Sequence, residues 1–170
     1  MTSPSRLGLP VESQILMCAG EFIPGDGMKL AIWAFDILKY VAPKLHLVLV
    51  GDGPERERMM RFARSLGSDD WRVHFLIDDH PLSAVEQADI VWGTHPRGGV
   101  AFLNAALNLG TPALAFRTPD TESASGLTLT PFGDPVALAT TTRKILGCVE
   151  APAGIGRKAL ARMGSTRNPK

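Results

Sequence analysis

Pro96-Arg-Gly-Gly-Val-Ala-Phe-Leu-Asn-Ala-Ala-Leu-Asn-Leu-Gly-Thr-Pro112 reads as a glycine-rich loop, a short apolar helix and a stop. Val100, Leu103 and Leu107 fall on one face at helical spacing. Gly110 stands where a left-handed C-cap is wanted, and Pro112 prevents further helix. The apolar run Ala113–Phe116 follows at once. Gly98 and Gly99 leave backbone N–H groups free at the helix start. In a parallel α/β sheet such a start lies beside the carboxyl ends of the strands, where ligands bind.

The rest of the chain supplies the sheet that such a helix needs. Ile15–Ala19 is an apolar run ended by Gly20 and reads as the first strand. After the loop Glu21-Phe-Ile-Pro-Gly-Asp-Gly27, a helical pattern places Leu30, Trp33, Ile37 and Val41 on one face, closed by Pro43. Leu45–Val50 is nearly all apolar, as a strand buried on both faces should be. Gly51-Asp-Gly-Pro54 makes a turn into an amphipathic helix, Glu55 to Leu66, with proline at its start and Gly67 as its stop. Val73–Ile77, Ile90–Trp92 and Leu127–Thr130 read as further strands. Between the first two of these lie a polar corner, Asp78-Asp79-His80-Pro81, and a short helix with Ser83 and Glu86 at capping-box spacing. Arg117–Gly126 reads as a polar, mobile loop. Asp134-Pro135 reads as an N-cap and first turn of a helix that reaches about Leu146 and ends at Gly147. Strand and helix alternate, which predicts an α/β fold: a doubly wound, Rossmann-like parallel sheet of about six strands with helices on both faces.

Composition bounds the function classes. A chain of 170 residues with 45% hydrophobic content can bury a sizeable core as one domain. We expect a loose leader over 1–13, the Rossmann-like domain over 14–147, and a tail over 148–170 with a short helix at Arg157–Met163. The net charge of +1 gives no argument for nucleic acid, and the basic tail residues are scattered without interleaved aromatics. No apolar run approaches the roughly 20 residues that span a bilayer. Met1–Pro10 lacks the apolar core of a signal peptide. Cys18 and Cys148, far apart, point to reduced thiols in a cytoplasmic protein. Gly51-Asp-Gly-Pro54 fails as a dinucleotide fingerprint, because Arg56 takes the third glycine's place and the turn follows the second strand. Asp78, Asp79 and His80 lack a second ligand cluster at metal spacing, so no metal is expected there. His46 lies inside a strand and reads as a paired core or edge residue, while His95, beside the cleft, is the histidine to test for a ligand role. No nucleophile-elbow pattern is present and no cofactor is implied.

Taken together and in order, five short words resemble the C-terminal, sugar-nucleotide-binding domain of group 1 retaining glycosyltransferases of GT-B architecture. They are Val50-Gly-Asp-Gly-Pro-Glu55, Arg72-Val-His-Phe-Leu76, Ala88-Asp-Ile-Val91, Gly110-Thr-Pro112 and Pro131-Phe-Gly-Asp-Pro135. Each word is weak alone, and together they cover roughly residues 14–147. The resemblance implies a donor site formed by the loop after the first strand and the helix that opens near Val100. In that family an arginine directly after the first-strand glycine and a lysine just before the next glycine hold the donor diphosphate. Two glutamates separated by seven residues contact the transferred sugar and the ribose. The matching positions here are Glu21, Asp26, Arg97 and Ala105. All four depart from the pattern, and three invert the charge.

By this register the donor-binding positions are Gly20, Glu21, Asp26, Arg97, Gly98, Gly99, Val100 and Ala105, with no catalytic residue assigned. A charge-assisted hydrogen bond contributes roughly 1.5–3 kcal/mol, so losing both cations removes about 3–6 kcal/mol, or roughly two to four decades of affinity. Arg97 offers one compensating charge beside the helix start. Two readings follow. One is a nucleotide-sugar donor-binding domain, inactive alone, that takes its ligand weakly and needs a separate acceptor-binding domain as partner. The other is a non-catalytic binding or interaction module derived from a glycosyltransferase.

Overall fold

Six strands form one all-parallel sheet: β1 (Gln14–Ala19), β2 (Leu45–Val50), β3 (Val73–Leu76), β4 (Ile90–Gly93), β5 (Ala113–Phe116) and β6 (Thr128–Thr130). Their order is β3-β2-β1-β4-β5-β6. The computed structural model describes residues 7–67, 72–78, 80–95 and 100–148. β2 is buried at every position and β1 at all but its last, which is why both read as unbroken apolar runs. Alternate side chains feed two cores. Leu16, Cys18, Leu47, Leu49, Trp92 and Phe116 face one side, with α1 (Met28–Leu38), α2 (Arg56–Ser65) and α6 (Pro135–Cys148) packed on them. Ile15, Met17, Val48, Val50, Val91 and Ala115 face the other, covered by α3 (Pro81–Ala84), a 3-10 turn at Val85–Gln87, and α4 (Val100–Asn108). Leu7 and Leu9 pack against this second core, so part of the expected leader lies on the domain.

Three local expectations need correction. The buried face of α1 is Met28, Ala31, Ile32, Phe35 and Leu38, not the predicted stripe. Trp33, Ile37 and Val41 are 48%, 39% and 53% exposed, and only Leu30 of that stripe packs on the core. The helix is apolar on two sides, so periodicity alone could not choose between them. Fully buried Ala31 and Ala34 decide the matter, because their small side chains let the backbone close on the sheet. The segment 117–126 is not simply a loop. Pro119–Glu122 forms a short helix, α5, under a reciprocal cap in which Thr118 and Thr121 each accept the other's backbone N–H. Ser83 and Glu86 form no capping box, since α3 starts earlier, at Pro81, and the Ser83 hydroxyl donates to the His80 carbonyl.

The cap at Asp134 forms as predicted, with Oδ1 accepting the Ala137 N–H at 2.9 Å. Gly110 adopts φ +72° at the end of α4, the left-handed stop read from the sequence. The helix predicted at Arg157–Met163 lies outside the described residues.

Two buried polar groups tie the layers together. Arg72, 5% exposed, donates to the carbonyls of Lys39 at 2.8 Å, Ala42 at 3.0 Å and Leu45 at 3.4 Å, and its guanidinium lies 5.7 Å from the Phe35 ring centre. It adds side-chain donors to carbonyls where α1 ends and β2 begins, of which the Ala42 carbonyl also accepts the Leu45 N–H at 3.0 Å. His46 and His74 stack across β2 and β3 with Nδ1 and Nε2 3.0 Å apart. His46 is therefore paired, as its place in a strand suggested. Burial, with the neighbouring His74 and Arg72, pushes His46 down to about 4, and burial lowers His74 as well. Replacing Arg72 by Met keeps the stem and removes the fork. We expect a loss of about 3 kcal/mol, seen as a lower urea midpoint at unchanged m. A loss under about 0.5 kcal/mol would show that the three carbonyls find other donors.

Candidate functional site

The strand order reverses between β1 and β4, and open α/β sheets bind ligands outside the strand ends at such a point. Gly20 leaves β1 there, and Thr94 and His95 leave β4. The loop from Gly20 to Gly27 is held by backbone bonds to its neighbour. Gly20 N–H donates to Val50 at 3.0 Å, Phe22 N–H to Asp52 at 3.0 Å, and Glu55 N–H to Phe22 at 2.8 Å. Gly53, at φ +153°, is pressed on this loop, and a Cβ there would lie 2.5 Å from the Phe22 carbonyl oxygen. Gly51-Asp-Gly-Pro54 is thus spent on packing one loop against another, consistent with a structural turn.

Asp26 occupies the base of the loop. It is 5% exposed, and its Oδ1 accepts the Met28 N–H at 3.0 Å where α1 begins. Its Oδ2 is buried and has no hydrogen-bond partner among the described residues. That oxygen lies 3.3 Å from the point where a Cβ on Gly20 would stand, and the His95 ring carbon Cδ2 lies 3.6 Å from the same point. Gly20 is what leaves room for the carboxyl. Burial pushes Asp26 up to about 6, and the exposed Glu21 adds to the rise, while the Met28 N–H and His95 oppose it. Gly27 follows at φ +90°, and a side chain there would collide with the Thr94 carbonyl. Cys18, buried and free, sits beneath with Sγ 3.3 Å from the Thr94 hydroxyl. Burial raises its thiol to about 11, so it is a neutral packing group and not a nucleophile.

The structure therefore brings Gly20, Glu21, Asp26 and His95 together. Val100 opens α4 and Ala105 lies in its middle, both half-buried. Arg97, Gly98 and Gly99 lie outside the described residues. Asp78 accepts the His80 N–H at 2.8 Å and makes a capped corner, with Asp79 outside the described residues. Among the described residues no cluster of three His, Cys, Asp or Glu side chains is placed to hold a metal. Among the described residues, two cavities flank the strand ends. One, of about 300 Å³, lies between Phe22, Pro24, Asp26, Leu30, Arg58 and Met59. The other, of about 290 Å³, lies past β3 between Leu7, Ile77, His80, Ser83 and Gln87. The roles of Thr94 and Cys18 under the loop were not legible in the sequence, because neither stands in a motif.

The family model described as glycosyl transferases group 1 matches residues 2–146. The chain belongs to this family. No curated protein sequence matches it. Among solved structures it is similar to HepE from Anabaena in complex with UDP, at a TM-score of 0.73 and 21% identity, covering 95% of this chain and 46% of that one. Sucrose-phosphate synthase from Thermosynechococcus elongatus gives 0.70 and 25% identity, covering 97% and 44%. The catalytic domain of cholesterol-alpha-glucosyltransferase from Helicobacter pylori gives 0.62 and 17%, covering 89% and 97%. The chain spans a little under half the length of the first two. Their match shows the Rossmann-like α/β fold shared across the group 1 family. Among the described residues no helix is long and apolar enough to cross a membrane.

Two of the perturbed groups, Asp26 and His46, act on stability with opposite signs. Asp26 is raised from 3.8 to about 6, so its contribution is full in acid and is lost as pH rises through about 6. His46 is lowered from 6.5 to about 4, so its contribution is full above 6.5 and is lost as pH falls toward about 4. Over the shared window each changes proton uptake by about one, and the slopes oppose. Asp26→Asn should therefore make stability rise more steeply between about pH 4 and 6 than in the parent, by about one proton, in urea titrations. Parallel profiles would show that Asp26 titrates alike in the folded and unfolded chains.

Proposed function

We propose that this chain is the donor-side half of a group 1 glycosyltransferase whose diphosphate grip has been replaced. On this reading it binds sugar nucleotides only weakly at neutral pH, and it transfers no sugar alone. The observation that carries the reading is the pair of carboxylates at the strand-order reversal. Glu21 and Asp26 stand at the positions where the family resemblance calls for an arginine and a lysine, and Asp26 is fixed there by its bond to Met28. A diphosphate entering over Gly20 meets negative charge and none of the usual donors. HepE, a structural neighbour, was solved with UDP and, in separate structures, with UDP-glucose and with UDP and glucose. That supports sugar nucleotides as the ligand class to test here. The chain covers 46% of HepE, so a donor-side half is the part of such an enzyme to test for here.

A second reading, an interaction module derived from a glycosyltransferase, is favoured by one observation. Trp33, Ile37, Tyr40 and Val41 leave an apolar stripe open along and just past α1, with Tyr40 75% exposed. Such a stripe is a common mark of a protein-binding face.

Calorimetric titration with UDP- and GDP-sugars at neutral pH tests the first reading. We expect dissociation constants weaker than about 1 mM, equivalent to less than about 4 kcal/mol of binding. Micromolar binding would overturn the claim that the grip is lost. Restoring the family pattern with Glu21→Arg, Asp26→Lys, Arg97→Glu and Ala105→Glu together should raise affinity by about two decades or more. No gain at all would mean that this cleft is not the donor site.

A further inference from the structure

Among the described residues, the hydrogen bonding of the Asp26 carboxyl in this cleft is half complete. Oδ1 is taken by the Met28 N–H, while Oδ2 is buried with no donor among the described residues, 3.3 Å from the point where a Cβ on Gly20 would stand. An anionic oxygen left in that state costs free energy, and a proton on it removes the cost and creates a donor. Among the described residues the charged and titratable neighbours are three. Glu21 flanks the loop on the solvent side, His95 approaches from the end of β4, and Cys18 lies beneath as a neutral thiol. Along the adjoining cavity Arg58 is paired with Glu55 at 3.1 Å, and Lys29 lies over the Phe62 ring at 5.1 Å. Each cation thus has another partner.

We propose that Asp26 is the specificity-determining residue of this cleft: ionised, its enclosed charge beneath Gly20 rejects a diphosphate, and protonated, it admits one over Gly20. The inference rests on the donor-cleft reading above. Binding then takes up one proton from solution, which stays on Asp26 in the complex, and no covalent bond forms or breaks. Sugar-nucleotide binding by this chain is an acid-dependent event, unlike a grip built from arginine and lysine.

The test is calorimetric titration of the full chain with UDP-glucose between about pH 5 and 8. UDP-glucose is chosen because its diphosphate is esterified at both ends and keeps its charge, whereas a terminal phosphate titrates near pH 6. With Asp26 titrating at about 6, only the protonated fraction is competent, so affinity at about pH 5 should exceed that at about pH 7.5 by about thirty-fold. Paired buffers of different ionisation enthalpy should report uptake of about one proton at neutral pH. Asp26→Asn retains an acceptor for Met28 and cannot ionise. It should bind at about pH 7.5 as the parent does at about pH 5, with a flat profile. His95→Gln should keep the pH dependence. A flat profile in the parent, or loss of the dependence in His95→Gln, overturns the proposal even if Asp26→Asn fails to fold. The fourfold variant separates the levels. If it binds while the parent stays flat, this inference alone fails, and if it binds at no pH, the donor-cleft reading fails beneath it.

Discussion

Everything at the strand ends depends on two loops touching through bare backbone. The chain leaving β1 lies on the turn leaving β2, and the contact is made by main-chain groups because Gly51 and Gly53 present no side chain to it. That approach fixes the path from Gly20 to Gly27. It therefore fixes where α1 starts and where the Asp26 carboxyl is held. A close contact between two glycine-lined turns costs chain entropy. It is offset by the hydrogen bonds between the loops and by burial of Phe22, whose ring lies 5.8 Å from that of Phe75.

The sheet was legible in the residues because a strand buried on both faces has one simple signature. Leu45–Val50 and Ala113–Phe116 could hardly be anything else, and the spacing between such runs leaves room for the crossover helices. Helix faces were harder. α1 carries apolar residues around most of its circumference, so the larger side chains suggested a stripe that the structure leaves in solvent. Size misled there, because close packing on a sheet favours alanine at the contact. α5 was missed for a different reason. Its four residues carry almost no apolar signal, and its stability comes from the Thr118–Thr121 cap. At the site, the residue types were readable and their burial was not. That Asp26 is enclosed while Glu21 is open follows from tertiary packing around Gly20.

Scaffold and charge can therefore change independently in this fold. The positions that build the loop are small residues judged by shape: Gly20, Gly27, Gly51 and Gly53. Those that set its electrostatics project from the same loop but bear less of the packing. On the reading proposed above, this chain keeps the glycines, and with them the family's architecture, while the sign of the cleft reverses. Family membership consequently says more about the frame around a ligand than about which ligand the frame accepts.

The bond from Trp92 to Thr142 has a consequence for how the chain is made. The indole N–H is fully buried and donates to a hydroxyl 50 positions later, at 2.8 Å. That hydroxyl donates in turn to the Leu138 carbonyl, within α6. On a ribosome adding about 5–20 residues per second, β4 waits roughly 3–10 s for that partner to be synthesised. The first three strands can pair in the meantime, because β1, β2 and β3 are joined in order and neighbour one another. The later half of the sheet has an apolar face that stays uncovered until α6 arrives. During synthesis that face is exposed apolar surface that the finished fold hides.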